Sequence, residues 1–281
     1  MIPQEFDYTA PATLQEVLSL VDGGERKVLA GGMTLIPMMK LRLATPSEVV
    51  DLSRVPGLAG ITESDGLIRI GAMTTHHAVE TSPVTRAHAP LLAAAAGQIG
   101  DVQVRNMGTM GGSIAHADPA ADYPAALLAL DARVHIVSGH SDRTVAASDY
   151  FLDAFTTALE PGELVLEIQV PAQDVTEGSH YEKLPHPASG FAVVGLAVRI
   201  QKAGGRVTMA RIGVTGLAGH AFRARNAEAI LEAGGSIADA AAVVGEGQEP
   251  NSDLYASADY RLHLARVYAA RALKTATSGA A

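Results

Sequence analysis

The apolar positions of the chain change period several times, and each change marks an element. Leu14, Val17, Leu18 and Val21 recur at helical spacing, and Thr13 with Glu16 three residues later is a capping-box pattern, which predicts a helix over residues 13–22. Gly23-Gly24 can end it in a left-handed conformation. Lys27–Ala30 reads as a short strand running into Gly31-Gly32, with Thr34 placed to cap a second helix and Pro37 in its first turn. With a strand over 48–52, the chain up to about residue 53 reads as a small β-α-β-α-β unit.

Beyond Pro56-Gly57 the pattern predicts a hairpin, Gly60–Glu63 and Leu67–Ile70 around the turn Ser64-Asp65-Gly66. Residues 74–81 and about 84–99 read as helices, followed by a long glycine-rich connection from about 100 to 121. A connection of that length inside a compact domain is usually functional. Tyr123–Leu130 reads as a helix, and Arg133–Val137 and Glu163–Val170 as strands. After residue 178 come Tyr181–Leu184, Phe191–Ile200 and Arg206–Leu217, a three-stranded antiparallel sheet turned by Ala203-Gly204-Gly205. Helices follow at about 226–233, 236–244 and 258–275, the last with Tyr260, Leu264, Val267 and Leu273 at helical spacing. Helices and antiparallel strands mix, so the fold class is α+β, and no repeat at periods of 20 to 50 residues occurs.

Composition narrows the function. Hydrophobic residues make up 48% and charged residues 18% of the 281, as in a folded globular protein. The net charge of -9 counts against a nucleic-acid partner, which needs a basic footprint. No run of apolar residues is long enough to span a membrane, and the start Met1–Asp7 lacks the features of a secretory signal, so a cytoplasmic protein is expected. Cysteine is absent, which excludes disulfides, thiolate metal sites, a cysteine nucleophile and an iron–sulfur cluster held by this chain.

Two stretches share a Gly-Gly pair followed closely by a hydroxyl residue: Ala30-Gly31-Gly32-Met33-Thr34-Leu35 and Thr109-Met110-Gly111-Gly112-Ser113. Either alone reads equally well as an ordinary turn. As a pair they suggest two backbone cradles closing on one anionic ligand. Glycines allow positive φ and close backbone approach, and Thr34, Thr109 and Ser113 can add hydroxyl donors. Neither a Rossmann fingerprint nor a P-loop occurs. Asp118 and Asp122 are unconvincing as a catalytic pair. Asp122 reads either as a helix cap or as a ribose-binding carboxylate, and the two uses can coexist. The adjacent His76-His77 point in different directions and His116-Ala117-Asp118 lacks a third ligand, so no metal site is expected and the histidines read as surface or loop residues. No catalytic residue stands out. Lys183 and Phe191 read by default as a solvated strand lysine and a core aromatic.

With both glycine stretches in view, the sequence resembles the flavin-binding medium subunit of the molybdenum hydroxylases, the xanthine dehydrogenase and aerobic carbon monoxide dehydrogenase family. The matching residues are Met1-Ile2-Pro3, Phe6-Asp7-Tyr8, Ala30–Lys40, Ile70–Thr75, Gln103–Asn106, Thr109–Pro124, Glu160–Leu164 and Tyr181–Leu184. The resemblance implies a two-subdomain FAD-binding fold of the vanillyl-alcohol-oxidase (PCMH) type over 1–176, with subdomains of about 1–56 and 57–176. A C-terminal flavoprotein domain over 177–281, a three-stranded antiparallel sheet and helices, completes it. It further implies that Ala30, Gly31, Gly32, Met33, Thr34 and Leu35, with Thr109, Met110, Gly111, Gly112 and Ser113, bind the FAD diphosphate. Asp122 would bind the ribose side, Leu159 and Lys183 would lie at the flavin, and Phe191 beside its ring.

Met33 stands where relatives often carry His or Gln, Thr34 where Ser is usual, and Phe191 where the carbon monoxide enzyme has Tyr. These departures leave FAD binding intact and weaken carbon monoxide as the substrate. Since this chain has no cysteine, the resemblance implies a [2Fe-2S] cluster on a separate small subunit and a molybdenum cofactor on a large one. The expected assembly is a dimer of heterotrimers passing electrons to an external acceptor. A stand-alone flavin oxidase and a non-catalytic nucleotide-binding assembly subunit are the alternatives.

Overall fold

The computed structural model describes residues 2–24 and 26–280, so Met1 of the matched start lies outside the described residues. The first unit contains β1 (Asp7–Thr9), α1 (Leu14–Val21), β2 (Lys27–Leu29), α2 (Leu35–Lys40) and β3 (Glu48–Asp51). Its strands form a parallel sheet in the order β1-β3-β2, the β-α-β-α-β pattern expected. The Thr13–Glu16 capping box is present, and α1 buries Val17, Leu18 and Val21 against Val50 and Leu52.

The second unit is built on a five-stranded antiparallel sheet, ordered β4 (Ile61–Ser64), β5 (Leu67–Gly71), β10 (Leu164–Pro171), β6 (Arg133–Val137), β7 (Asp142–Ala146). The β4–β5 turn has Asp65 and Gly66 both at positive φ, as a two-residue hairpin requires. The helix expected over 84–99 is two, α4 (Pro83–His88) and α5 (Pro90–Gly97), because Pro90 pushes Ala89 out of helical geometry. Helix α3 (His76–Thr81) precedes them, and α8 (Asp122–Ala129) leads back to the sheet. The connection over 100–121 is not a loop: it holds α6 (Val102–Met107) and α7 (Met110–His116). Also absent from the sequence reading are β7, α9 (Ala147–Tyr150) and the small hairpin β8 (Phe151–Asp153) with β9 (Thr156–Thr157), elements too short to show a period.

The third unit carries β11 (Gly178–Pro185), β12 (Ala192–Ala203), β13 (Arg206–Thr215) and a two-residue fourth strand, β14 (Phe222–Arg223), beyond the three expected. Its helices are α10 (Arg225–Glu232), α11 (Ile237–Ala242) and α12 (Ala258–Gly279). Helix α12 buries Leu264, Ala265, Ala269, Ala272, Leu273 and Ala276, while Tyr260 stays outside the stripe. Small side chains let this long helix lie close to β11 and β12.

The second and third units share a core. Ala125, Ala126 and Leu127 of α8 belong to the same buried cluster as Tyr181 and Ala197 of the C-terminal sheet. Helix α8 lies on β13 so closely that a Cβ at Gly213 would overlap the Ala125 carbonyl. None of the described helices is long and apolar enough to cross a membrane.

Candidate functional site

Strand β2 delivers the chain into Ala30–Leu35, where Gly32 has φ +73°. That left-handed residue lets the chain reverse before α2. The Ile36 N–H returns to the Gly32 carbonyl at 3.1 Å, but the N–H groups of Gly31, Gly32, Met33, Thr34 and Leu35 find no protein acceptor among the described residues. Consecutive unpaired N–H groups around a left-handed glycine form a concavity suited to an anion. Thr34 occupies the cap position with a helical backbone and makes no capping bond, contrary to the expected cap, so its hydroxyl is unengaged.

The second glycine stretch works differently from the cradle expected of it. Thr109 caps α7, its Oγ1 accepting from the Gly112 N–H at 3.2 Å, so Gly111 and Gly112 sit inside the first helical turn. Glycine disfavours helix by about 1 kcal/mol, and packing overrides that preference. Met110 donates to the Thr74 carbonyl at 2.9 Å, Gly111 to the Ala72 carbonyl at 2.8 Å and Ser113 to the Thr109 carbonyl at 3.0 Å. A Cβ at Gly111 would strike Ala72. The glycines serve close approach here rather than positive φ, and their N–H groups are already spent. Ser113, half-buried, keeps a free hydroxyl.

The fold brings the two stretches together. A Cβ at Gly31 would overlap the Met107 carbonyl, and one at Gly112 would sit 3.5 Å from the Ala30 Cβ. The cleft mouth carries Met33 and Met107, which are 37% and 57% exposed. On the second-unit side Gly108 meets His76, whose N–H donates to the Gly108 carbonyl at 3.0 Å.

Asp122 and Lys183 do meet, but they face each other. The side chains are 4% and 0% exposed and 2.8 Å apart. Lys183 also donates to the Gln98 carbonyl at 2.9 Å, and the Tyr181 hydroxyl donates to Asp122. Burial pushes the Asp122 carboxyl up, while Lys183 and Tyr181 pull it back. Ala121, not Asp122, is the cap residue of α8. The cap expected of Asp122 gives way to an internal ion pair that joins α8 to β11. The solvated lysine expected at 183 is a buried one for the same reason.

Leu159 lies half-buried in the segment before β10, which Arg143 and Glu163 staple: Arg143 donates to the Ala158 carbonyl and to Glu163, both at 2.6 Å. Phe191 is 40% exposed rather than core, at the start of β12 beside Gly190, which packs on Gly100. His76 departs from the surface role expected of it. It is buried, its Nδ1 lies 3.1 Å from the Tyr123 hydroxyl, and burial with the Arg105 charge lowers its pKa to about 4. His116 packs on the Phe155 ring at 5.1 Å and is pushed down by burial, with Asp118 opposing. Asp118 accepts from the Ala120 N–H at 2.8 Å, a local turn.

Residues 4–173 match the family described as the FAD binding domain in molybdopterin dehydrogenase. Residues 179–276 match the CO dehydrogenase flavoprotein C-terminal domain. The chain belongs to this flavoprotein family. It is 41% identical to the carbon monoxide dehydrogenase medium chain of Hydrogenophaga pseudoflava, over 98% of each chain. It is 37% identical to the 6-hydroxypseudooxynicotine dehydrogenase complex subunit alpha of Paenarthrobacter nicotinovorans, over 98% of this chain and 96% of that one. A solved carbon monoxide dehydrogenase from Hydrogenophaga pseudoflava, lacking the Mo-pyranopterin moiety of its molybdenum cofactor, superimposes with a TM-score of 0.96 at 41% identity, covering both chains fully. The family is one of dehydrogenase subunits that bind FAD. The first glycine stretch fits that cofactor's diphosphate: the N–H groups of Gly31–Leu35 have no acceptor among the described residues, and Gly31 lets the Met107 carbonyl pack directly against this stretch.

Proposed function

We propose that this chain is the flavin subunit of a heteromeric molybdenum hydroxylase and the outlet for its electrons. FAD lies in the cleft between the two glycine stretches. The single observation behind this reading is the run of five unpaired N–H groups at Gly31–Leu35 beside α7. Those donors and the Thr34 hydroxyl hold the diphosphate, Ser113 donates from the facing side, and Gly31 lets the walls approach at the Met107 carbonyl. Hydrogen bonds to a charged acceptor contribute roughly 1.5–3 kcal/mol each, so four or five anchor a diphosphate firmly. Leu159 and Phe191 flank the ring end, with the Asp122–Lys183 pair setting the position of α8 beneath it. When bound, the flavin exchanges electrons with both one-electron and two-electron carriers.

Lacking cysteine, the chain takes electrons from a [2Fe-2S] cluster on a small subunit, and substrate is oxidised at a molybdenum cofactor on a large one. A cytoplasmic dimer of heterotrimers and an external acceptor belong to the same proposal. A self-sufficient oxidase would need an acid or base free to meet substrate. His76 is instead buried against the Tyr123 hydroxyl, and Asp122 and Lys183 are buried on each other.

Gly32→Val tests the cleft. It forces a branched side chain onto φ +73° and against Ile36. The expected product is a folded chain, by circular dichroism, that purifies without flavin. Wild-type flavin content in this variant would sink the assignment of the first glycine stretch.

A further inference from the structure

The segment Asp118–Asp122, which joins α7 to α8, makes most of its hydrogen bonds to the C-terminal unit. The Gly216 N–H donates to the Pro119 carbonyl at 2.8 Å and the Ala192 N–H to the Ala120 carbonyl at 3.1 Å. The Thr215 hydroxyl lies 2.9 Å from the Pro119 carbonyl and 2.7 Å from that of Ala121, one proton shared between two acceptors. Tyr181 and Lys183 hold the Asp122 carboxylate at the far end of the segment. Lys183 and Thr215 stand in register with Gly195 near the end of the C-terminal sheet where β12 begins at Ala192.

Thr215 is 1% exposed, and its strand neighbours on β13, Ile212 and Val214, are fully buried aliphatics. Valine has the same shape and suits a buried strand at least as well. A buried hydroxyl is costly unless it is used, and this one is used only on the joining segment. Arg261 of α12 backs the arrangement from behind. Its guanidinium donates to the Val193 carbonyl at 2.6 Å and the Gly216 carbonyl at 2.9 Å, and Asp253 balances its charge. The end of β13 is therefore fixed from the helix layer, and it in turn fixes the segment. That segment follows the helix carrying Gly111 and Gly112 and is held by Ala192, the neighbour of Phe191.

We propose that Thr215 is a positioning residue for the cofactor, and that through it the C-terminal unit completes the FAD site. The inference rests on the FAD reading above. Thr215 touches no part of the cofactor itself. It holds the Pro119 and Ala121 carbonyls, and so the start of α8 and the spacing between the glycine cleft and Phe191.

The test uses the full chain, stripped of flavin and titrated with FAD well below its unfolding temperature. Thr215→Val is expected to raise the FAD Kd by about three- to tenfold, the worth of one hydrogen bond, and to shift the visible absorption band of the bound flavin. Thr215→Ser, which keeps the hydroxyl, should stay within about twofold of wild type on the same scale. Val214→Ala, a neighbouring core truncation that reaches no joining-segment atom, should lower the Tm and leave both Kd and the band unchanged. The proposal is overturned if Thr215→Val binds FAD as the wild type does, or if Val214→Ala weakens binding equally. A wild-type chain that takes up no FAD would overturn the cofactor reading, and this one with it.

Discussion

At His76, burial keeps the imidazole neutral down to a pH of about 4, against an ordinary value of 6.5. A histidine whose folded pKa lies below its unfolded one takes up a proton on unfolding, so acid favours the unfolded chain. This contribution is full above about pH 6.5 and fades as the pH falls towards 4. His76→Gln should flatten the dependence of Tm on pH across that window, and an unchanged profile would show that the ring is not buried as described. The Asp122–Lys183 pair is tested by subtraction. Lys183→Met leaves a buried carboxylate unpaired and should cost about 3–5 kcal/mol in denaturant unfolding. Adding Asp122→Asn should recover much of that loss. No recovery would mean that the pair is not what couples these positions. Neither residue announces this role in sequence, because Asp122 and Lys183 are 61 positions apart and each has an ordinary local reading.

Among elements, the segment bearing Leu159 depends on a remote staple. Glu163 is held down to a pKa of about 2 by Arg143 first, with the Glu160 N–H and Ser141 assisting against burial. Its folded pKa lies below the ordinary 4.5, so its stabilisation is present above about pH 4.5 and is lost as the pH falls towards 2. Glu163→Gln should remove that acid-labile part, read as Tm at pH 7 and at pH 3, and equal losses in both proteins would count against it. Elements with a strong period were legible: α1 through its capping box, and β12 and β13 through their length. The α6–α7 region was not. Its two glycines argue locally for a loop, and the helix exists because Ala72 and Thr74, more than thirty residues away in the chain, accept the N–H groups of Gly111 and Met110. The first glycine stretch could be read from sequence because its conformation is set locally, by the left-handed Gly32. The second could not, because its geometry comes from packing.

For the whole molecule, the continuous core through α8 means that the second and third units should not unfold separately. Calorimetry of the full chain should show one transition covering both, and Gly213→Val, which pushes a side chain into the Ala125 backbone, should lower it sharply. Two resolved transitions would contradict the shared core. The cleft mouth brings another consequence. Flavoproteins that meet oxygen release peroxide, and this chain has no cysteine to absorb it. Met33 and Met107 stand exposed at the lips of the cleft, whereas Met110 is fully buried. Sulfoxidation would place a polar, chiral group on each lip. With FAD bound in this cleft as proposed, these exposed thioethers would be early targets of that peroxide, and their oxidation state would record how often electrons had escaped to oxygen.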